Sequence, residues 1–523
     1  MDENPGSVLD GYQHVLNRPT KVAYADGTSV QYQYDTAANG AGRIAKITDA
    51  SGSTAYAYDT HGRVTQKTQT IGTLSLVVSY TYDAPGRLSQ MKLPSGNVQN
   101  YAYDTSGRMT SITNGAGVAL LSSISAHPFG PINQWTFGNQ QAVDRVLDKD
   151  RRIVSHSLGS VTPDAANQIS PVVPGGVNVA TDTKHYSYDN LSRLNSFTNG
   201  ISTETYQYDA NGNLTQKLAG GVTYSYTVDS ASNRITAVSS SGGNATYTYD
   251  ANGSLTNYGA TTFTYNAAGR LTSAGGGTYL YNGLGQRVQK TVGGVQTNFV
   301  YDERGRLVGE YTATGAAIEE TTYLGHMPVA TTVNGVPYYI HTDHLGSPRQ
   351  IENGSGQAVW SWNDGSYGAT PPNQDPRSTG TSFTYNLRFP GQYFDAETGL
   401  HHNGARDYDP KIGRYIQSDP IALSGGLNTY AYAGLSPTNK SDPRGLDNPA
   451  TPPGTPQSPP PSGAPNNNQP PAGPPELPND YCLVAAACVG GAIGQTLLGP
   501  EGGLGGFVIG GIIGEYVCPT SKQ

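Results

Sequence analysis

Charge is scarce in this chain: only 13% of its 523 residues are Asp, Glu, Lys or Arg, and the formal net charge is -8. No basic footprint exists to neutralise phosphates, which excludes nucleic acid as a partner. Cysteine is almost missing, with three residues, Cys482, Cys488 and Cys518, all near the C-terminus. The body therefore stands without a disulfide framework, and a bridge to Cys518 in an oxidising compartment would leave one thiol over. The start, Met1-Asp2-Glu3-Asn4-Pro5-Gly6, has neither a basic n-region nor an apolar h-region. The expectation is a secreted or cell-surface protein that travels by a route without a conventional signal peptide.

Phe (9) and Trp (3) are rare, whereas Tyr (36) and Gly (67) are abundant. That is the vocabulary of strands joined by tight turns, so helices should be scarce before the C-terminus. One phrase recurs: Tyr58-Asp59-Thr60-His61-Gly62-Arg63, Tyr82-Asp83-Ala84-Pro85-Gly86-Arg87, Tyr103-Asp104-Thr105-Ser106-Gly107-Arg108 and Tyr301-Asp302-Glu303-Arg304-Gly305-Arg306. Weaker copies begin at Tyr34, Tyr188, Tyr208, Val228, Tyr249, Tyr265 and Tyr281, mostly about 16–24 residues apart. Between about Thr113 and Thr183 the pattern fades, read as the same array with a longer insertion.

The unit has a physical reading. Asp opens a β-turn by accepting from backbone further on, Gly closes it, and period-two alternation on both sides makes each copy a hairpin. A lone hairpin is marginal in water, so successive copies should stack into one long twisted sheet. Tyrosines at strand spacing suit packing; a carbohydrate-binding face is the alternative. The Arg of each Gly-Arg step suits a salt bridge or a turn-to-strand cap.

Two further features carry chemistry. Asp419-Pro420 and Asp442-Pro443 repeat one phrase just before the composition changes at Leu446. Two carboxylates held close do not both ionise cheaply, so one keeps its proton while the other acts as base on a water, the logic of aspartic proteases. His341, His344, His401 and His402 lack a clear third ligand, so neither metal nor cofactor is expected.

The Tyr-Asp-x-x-Gly-Arg repeats, Tyr339-Ile340-His341-Thr342-Asp343-His344-Leu345-Gly346-Ser347-Pro348-Arg349, and Gly413-Arg414-Tyr415 through Asp442-Pro443-Arg444-Gly445-Leu446 resemble the Rhs/YD-repeat family with its C-terminal core domain, over roughly Tyr24 to Leu446. The resemblance implies an all-β fold in which hairpins coil into a hollow shell, here short at the N-terminus and complete or partial. A core domain plugs the shell, and a C-terminal toxin that varies between members is held inside. It also implies self-cleavage of Leu446-Asp447 by Asp419 and Asp442, with Arg414 in support, and as partners a cognate immunity protein and export machinery. The expected domains are the repeat shell over 1–320, the core domain with its cleavage site over 321–446, a Pro-rich linker over 447–480 and a variable tip over 481–523.

The tip is short of basic catalytic groups: after Leu446 there is no His or Arg, and one Lys, Lys522, so its thiols have no visible general base. A nuclease or metal hydrolase would be short of parts. Two apolar arms, Leu483 to Gly499 and Leu504 to Gly514, suggest a helical hairpin. Gly490 and Gly494, then Gly502, Gly506, Gly510 and Gly514, recur every four residues, which on a helix puts them on one face for close packing in lipid. The expectation is a membrane-active tip, pore-forming or inserting. The alternatives are a carrier with a degenerate tip, or a non-catalytic adhesion protein.

Overall fold

The computed structural model describes residues 7–8, 18–127, 130–150, 152–166, 168–174, 183–446, 507–509 and 512–514. Every paired strand in it is antiparallel to its neighbour in sequence. Thirteen strands run in order from Ser7–Val8 to Ala142–Asp144, four from Val146–Leu147 to Ile169–Pro174, and nineteen from His185–Tyr188 to Ala358–Ser361. A four-stranded sheet, Gln392–Asp395, Leu400–Asn403, Arg406–Asp409 and Arg414–Tyr415, follows. The helical content among the described residues is two short 3-10 turns, Ala422–Gly425 and Ala433–Leu435.

The repeated phrase acts as a joint. In one copy Asp59 Oδ1 accepts from the backbone N–H of His61 and of Arg63, both at 2.9 Å. Asp59 Oδ2 pairs with Arg63 Nε at 2.7 Å, and Gly62 closes the turn at φ +73°. The strand register slips by one residue at each such turn, as between Ala57 and Tyr58. A bulge of this kind increases local twist, which makes a long sheet coil.

Several of the turns that end in Arg also grip the next copy. Arg63 lies 4.5 Å above the Tyr82 ring, and Tyr82 Oη donates to Val64 O at 2.8 Å. Arg87 and Tyr103 repeat this at 4.5 Å, Arg193 and Tyr208 at 4.9 Å, Arg306 and Tyr323 at 5.0 Å. The residue two places before that tyrosine points inward: Tyr56, Tyr80, Tyr101, Tyr206 and Tyr247 are all buried. Tyrosine is thus a packing residue on one side of each strand end and an arginine platform on the other.

The inner faces are covered by the chain itself. Leu76, Val78, Tyr80 and Met91 of the first sheet pack in one cluster with Val300, Val308, Tyr311 and Tyr339 of the long sheet. Phe197, Tyr206, Tyr226 and Tyr247 instead pack against Tyr367, Leu400, Ile412 and Ile416 of the C-terminal segment. Strand Ala317–Leu324, which spans the expected boundary at 320, is paired on both sides within the long sheet. The chain leaves that sheet only after Ser361, and the segment from there to residue 446, called the plug below, packs against it.

The tip departs from the helical expectation where it is described. Phe507–Ile509 and Ile512–Gly514 pair as a two-stranded ribbon, with Phe507 opposite Gly514. Val508, Ile509, Ile512 and Ile513 are β-branched, which lowers helix propensity and favours an extended backbone. Gly514 therefore lies on a strand; Gly490, Gly494, Gly502, Gly506 and Gly510 lie outside the described residues, as does the linker.

Replacing Arg63 with Ala removes both the ion pair to Asp59 and the platform contact to Tyr82. The expected cost is about 1–2 kcal/mol, read as a lower midpoint in urea denaturation. An unchanged midpoint would mean that successive turns do not support one another.

Candidate functional site

A hairpin sets up the site. Leu400–Asn403 and Arg406–Asp409 pair with Asn403 opposite Arg406, and the connection Gly404-Ala405 bends at φ +57° on Gly404. Arg406 is thereby carried into the interior, where its side chain has 0% exposure. Its guanidinium is almost fully used. Nη2 stands 2.9 Å from Asp419 Oδ2 and 3.4 Å from Asp442 Oδ2, Nη1 donates to Thr429 O at 2.9 Å and Nε to Gly445 O at 2.6 Å. The flat group stacks on Tyr415 at 3.7 Å.

Both expected aspartates are buried, and they converge on this one cation. Asp419 also takes the Ile421 N–H at 2.9 Å. Asp442 accepts Tyr415 Oη at 2.8 Å on Oδ2 and the Leu446 N–H at 3.1 Å on Oδ1. Asn403 Nδ2 completes the circle, donating to Tyr415 Oη at 2.7 Å and to Asp442 O at 2.9 Å. Two carboxylates against one guanidinium is a costly thing to bury, and it is tolerable only because donors surround each oxygen.

The segment carrying Asp442 lies in a track too narrow for side chains. A Cβ on Gly445, at φ +65°, would sit 2.1 Å from Asn403 O, and one on Gly391 would sit 2.0 Å from Pro443 O. Glycine is needed at both. The Gly445–Leu446 peptide is gripped at both ends, its oxygen by Arg406 and its nitrogen by Asp442. Leu446 is the last residue described before the tip; Asp447 lies outside the described residues.

Arg414 requires correction. It points to the other side, donating from Nη2 to Asn233 O at 2.6 Å and lying 4.7 Å over Tyr430, so it ties the plug to the shell. Burial holds its guanidinium below the ordinary value. The arginine that meets the aspartates is Arg406, thirteen positions before Asp419 in sequence and brought there by hairpin register. His401 and His402 serve the plug: His401 Nδ1 bonds Gln392 Oε1 at 2.7 Å and His402 Nδ1 meets Asp407 at 3.1 Å.

A family profile described as Teneurin YD-shell matches residues 150–434, more than half of the chain. The chain belongs to the YD-shell family. A second profile, RHS Repeat, matches residues 38–74 and 82–119 of this YD-shell chain. Similar proteins include the toxin protein Tse5 of Pseudomonas aeruginosa, 43% identical over 108 residues, which is 21% of this chain and 8% of Tse5. Double-stranded DNA deaminase toxin A of Burkholderia cenocepacia is 39% identical over 109 residues, again 21% of this chain and 8% of that protein. The crystal structure of TcdB2-TccC3-Cdc42 superposes with a TM-score of 0.58 at 18% identity, covering 82% of this chain and 27% of that one. That likeness supports the YD-shell fold; the chain spans only a small part of each of these proteins.

Arg406→Ala should leave two facing buried carboxylates without their cation, at an expected cost of about 3–5 kcal/mol in urea unfolding of the plug. Adding Asp419→Asn and Asp442→Asn to that variant should recover part of the loss. If Arg406→Ala alone unfolds like the parent, the guanidinium does not hold the pair.

Proposed function

We propose that this YD-shell chain is a toxin carrier of the Rhs type that cuts itself once, after Leu446, and frees the segment from Asp447 onward. The observation that carries the reading is the convergence of Asp419 and Asp442 on one buried arginine beside the last residues before the tip. One carboxylate takes a proton from water as the oxygen attacks the Leu446 carbonyl; the other gives a proton to the departing Asp447 nitrogen. Arg406 and Asp442, by gripping the preceding peptide, would fix how the next one is presented. Because catalyst and substrate share a chain, the effective concentration is high and one turnover is enough.

Tyr415 is assigned a positioning role, its hydroxyl orienting Asp442. Names of similar proteins support a toxin cargo, and with it an immunity protein in the producing cell and an export machinery. The apolar, glycine-rich tip favours a membrane as its target over a nucleic acid or a metal-dependent substrate.

Intact mass and a denaturing gel of the purified full chain test the cut. A fragment beginning at Asp447 is expected, lost in Asp419→Asn and in Asp442→Asn. Tyr415→Phe keeps the ring under Arg406 and should slow cleavage on the order of ten-fold or more while the melting temperature moves little. A chain that stays whole, or a cut that survives both Asn substitutions, would remove the reading; a uniformly whole chain that binds glycans would favour an adhesion protein.

The freed 447–523 segment should release dye from anionic liposomes. No leakage at high peptide concentration would discard the membrane role and leave the carrier reading intact.

A further inference from the structure

Three side chains outside the aspartate site form a second constellation. Ser157 sits, exposed, at the two-residue turn between strands Ile153–His156 and Gly159–Pro163. Its Oγ is 3.1 Å from Nδ1 of His341, a residue 184 positions away. On the far side of that ring, Nε2 is 3.3 Å from Glu352 Oε2, an electrostatic contact without the alignment of a hydrogen bond. His341 and Glu352 are both buried, and the imidazole is braced edge-on by Phe137 with ring centres 4.8 Å apart. Glu352 is itself held, by Asn139 Nδ2 at 3.0 Å and by Gln350 Nε2 at 2.8 Å.

From this geometry we propose that Ser157 is an activated nucleophile, with His341 as its general base and Glu352 as the group that orients the imidazole, acting on small acyl esters that reach the exposed turn. A bond that merely pinned the hairpin would need nothing behind the imidazole. The negative charge 3.3 Å from Nε2 favours, through space, the tautomer with its proton on Nε2, and that leaves the Nδ1 lone pair facing the serine hydroxyl. Burial pushes the Glu352 carboxyl up, but the His341 contact and the Gln350 and Asn139 bonds outweigh it and hold the group below its ordinary value. A carboxylate kept ionised is what that role requires.

In the first step the serine Oγ bonds to the ester carbonyl carbon and its proton passes to His341 Nδ1. As the ester C–O bond breaks, that proton leaves with the alcohol. Water then repeats the sequence: its proton goes to Nδ1, its oxygen to the acyl carbon, and the proton returns to Ser157 as the carboxylic acid departs. The sum is ester plus water giving acid plus alcohol, with no oxidant or metal needed. All three residues lie apart from Asp419 and Asp442, so the inference holds whether or not the chain cuts itself.

The test labels the full chain with a fluorophosphonate probe, maps the adduct by peptide mass and follows p-nitrophenyl acetate hydrolysis in parallel. The expected adduct is on Ser157, absent in Ser157→Ala, and slower on the order of 10²-fold in His341→Gln and Glu352→Gln. Circular dichroism confirms folding, and Glu352→Gln stands alone if His341→Gln does not fold. Labelling spread over surface serines without preference for Ser157, or an unchanged rate at Ser157 in the folded variants, would overturn the assignment.

Discussion

The contact between the arginine of one turn and the tyrosine of the next is the constraint on which the rest of the structure rests. A β-hairpin carries no information about where the following hairpin should lie. Here the guanidinium is fixed by the aspartate of its own turn, as Arg63 is by Asp59, and offers its open face to Tyr82. The tyrosine hydroxyl returns to the backbone just past that arginine. Local turn chemistry is thereby converted into spacing between copies, with a bulge at each joint setting the twist. Sheets of thirteen and nineteen strands without a single change of strand order follow from a rule that acts only between neighbours.

Such a sheet buries only one of its faces well, and the plug answers part of that need. It is bound to the shell by many separate ties. Ile416 O accepts from Leu255 N at 3.0 Å, Tyr430 Oη donates to Gly253 O at 2.8 Å, and Asn428 Nδ2 donates to Asn213 Oδ1 at 2.9 Å. Arg287, wholly inside, pairs with Asp395 across the junction. The aspartate site lies within a body whose own position is set by the shell.

Much of this was legible in sequence because it is local. Asp-x-x-Gly-Arg with alternation on either side states a hairpin, and its recurrence states an array; Asp419 and Asp442 stand out by their repeated phrase at a change of composition. What was not legible depends on pairing at a distance. Arg414 is near Asp419 in sequence but sits on the opposite strand face, bonded to Asn233. Arg406 reaches the carboxylates only because the Asn403–Arg406 register closes a tight hairpin, and the one cue, Asn403-Gly404 before it, marks a turn without saying what the turn delivers. His341 was weighed as a metal ligand from its spacing; its partners come from a turn 184 residues earlier and from the adjoining strand. The tip's four-residue glycine spacing pointed to a helix, while the β-branched residues between the last glycines favour the ribbon that forms.

The electrostatics make the aspartate site dependent on the fold around it. Arg406 satisfies Thr429, Gly445, Asp419 and Asp442 together, and these acceptors come from three separate stretches of the plug. In an unfolded chain each acidic group is solvated alone and has no reason to approach the other; taking both out of water is unfavourable unless the cation and the other donors are in place. The cation is in place only when its hairpin is formed, and the hairpin is seated on the shell by Leu400 and Ile416. A pair of aspartates arranged in this way is stable only where the sheet that positions the plug has formed. Chemistry at the Leu446 end of the site would therefore be tied to completion of the fold.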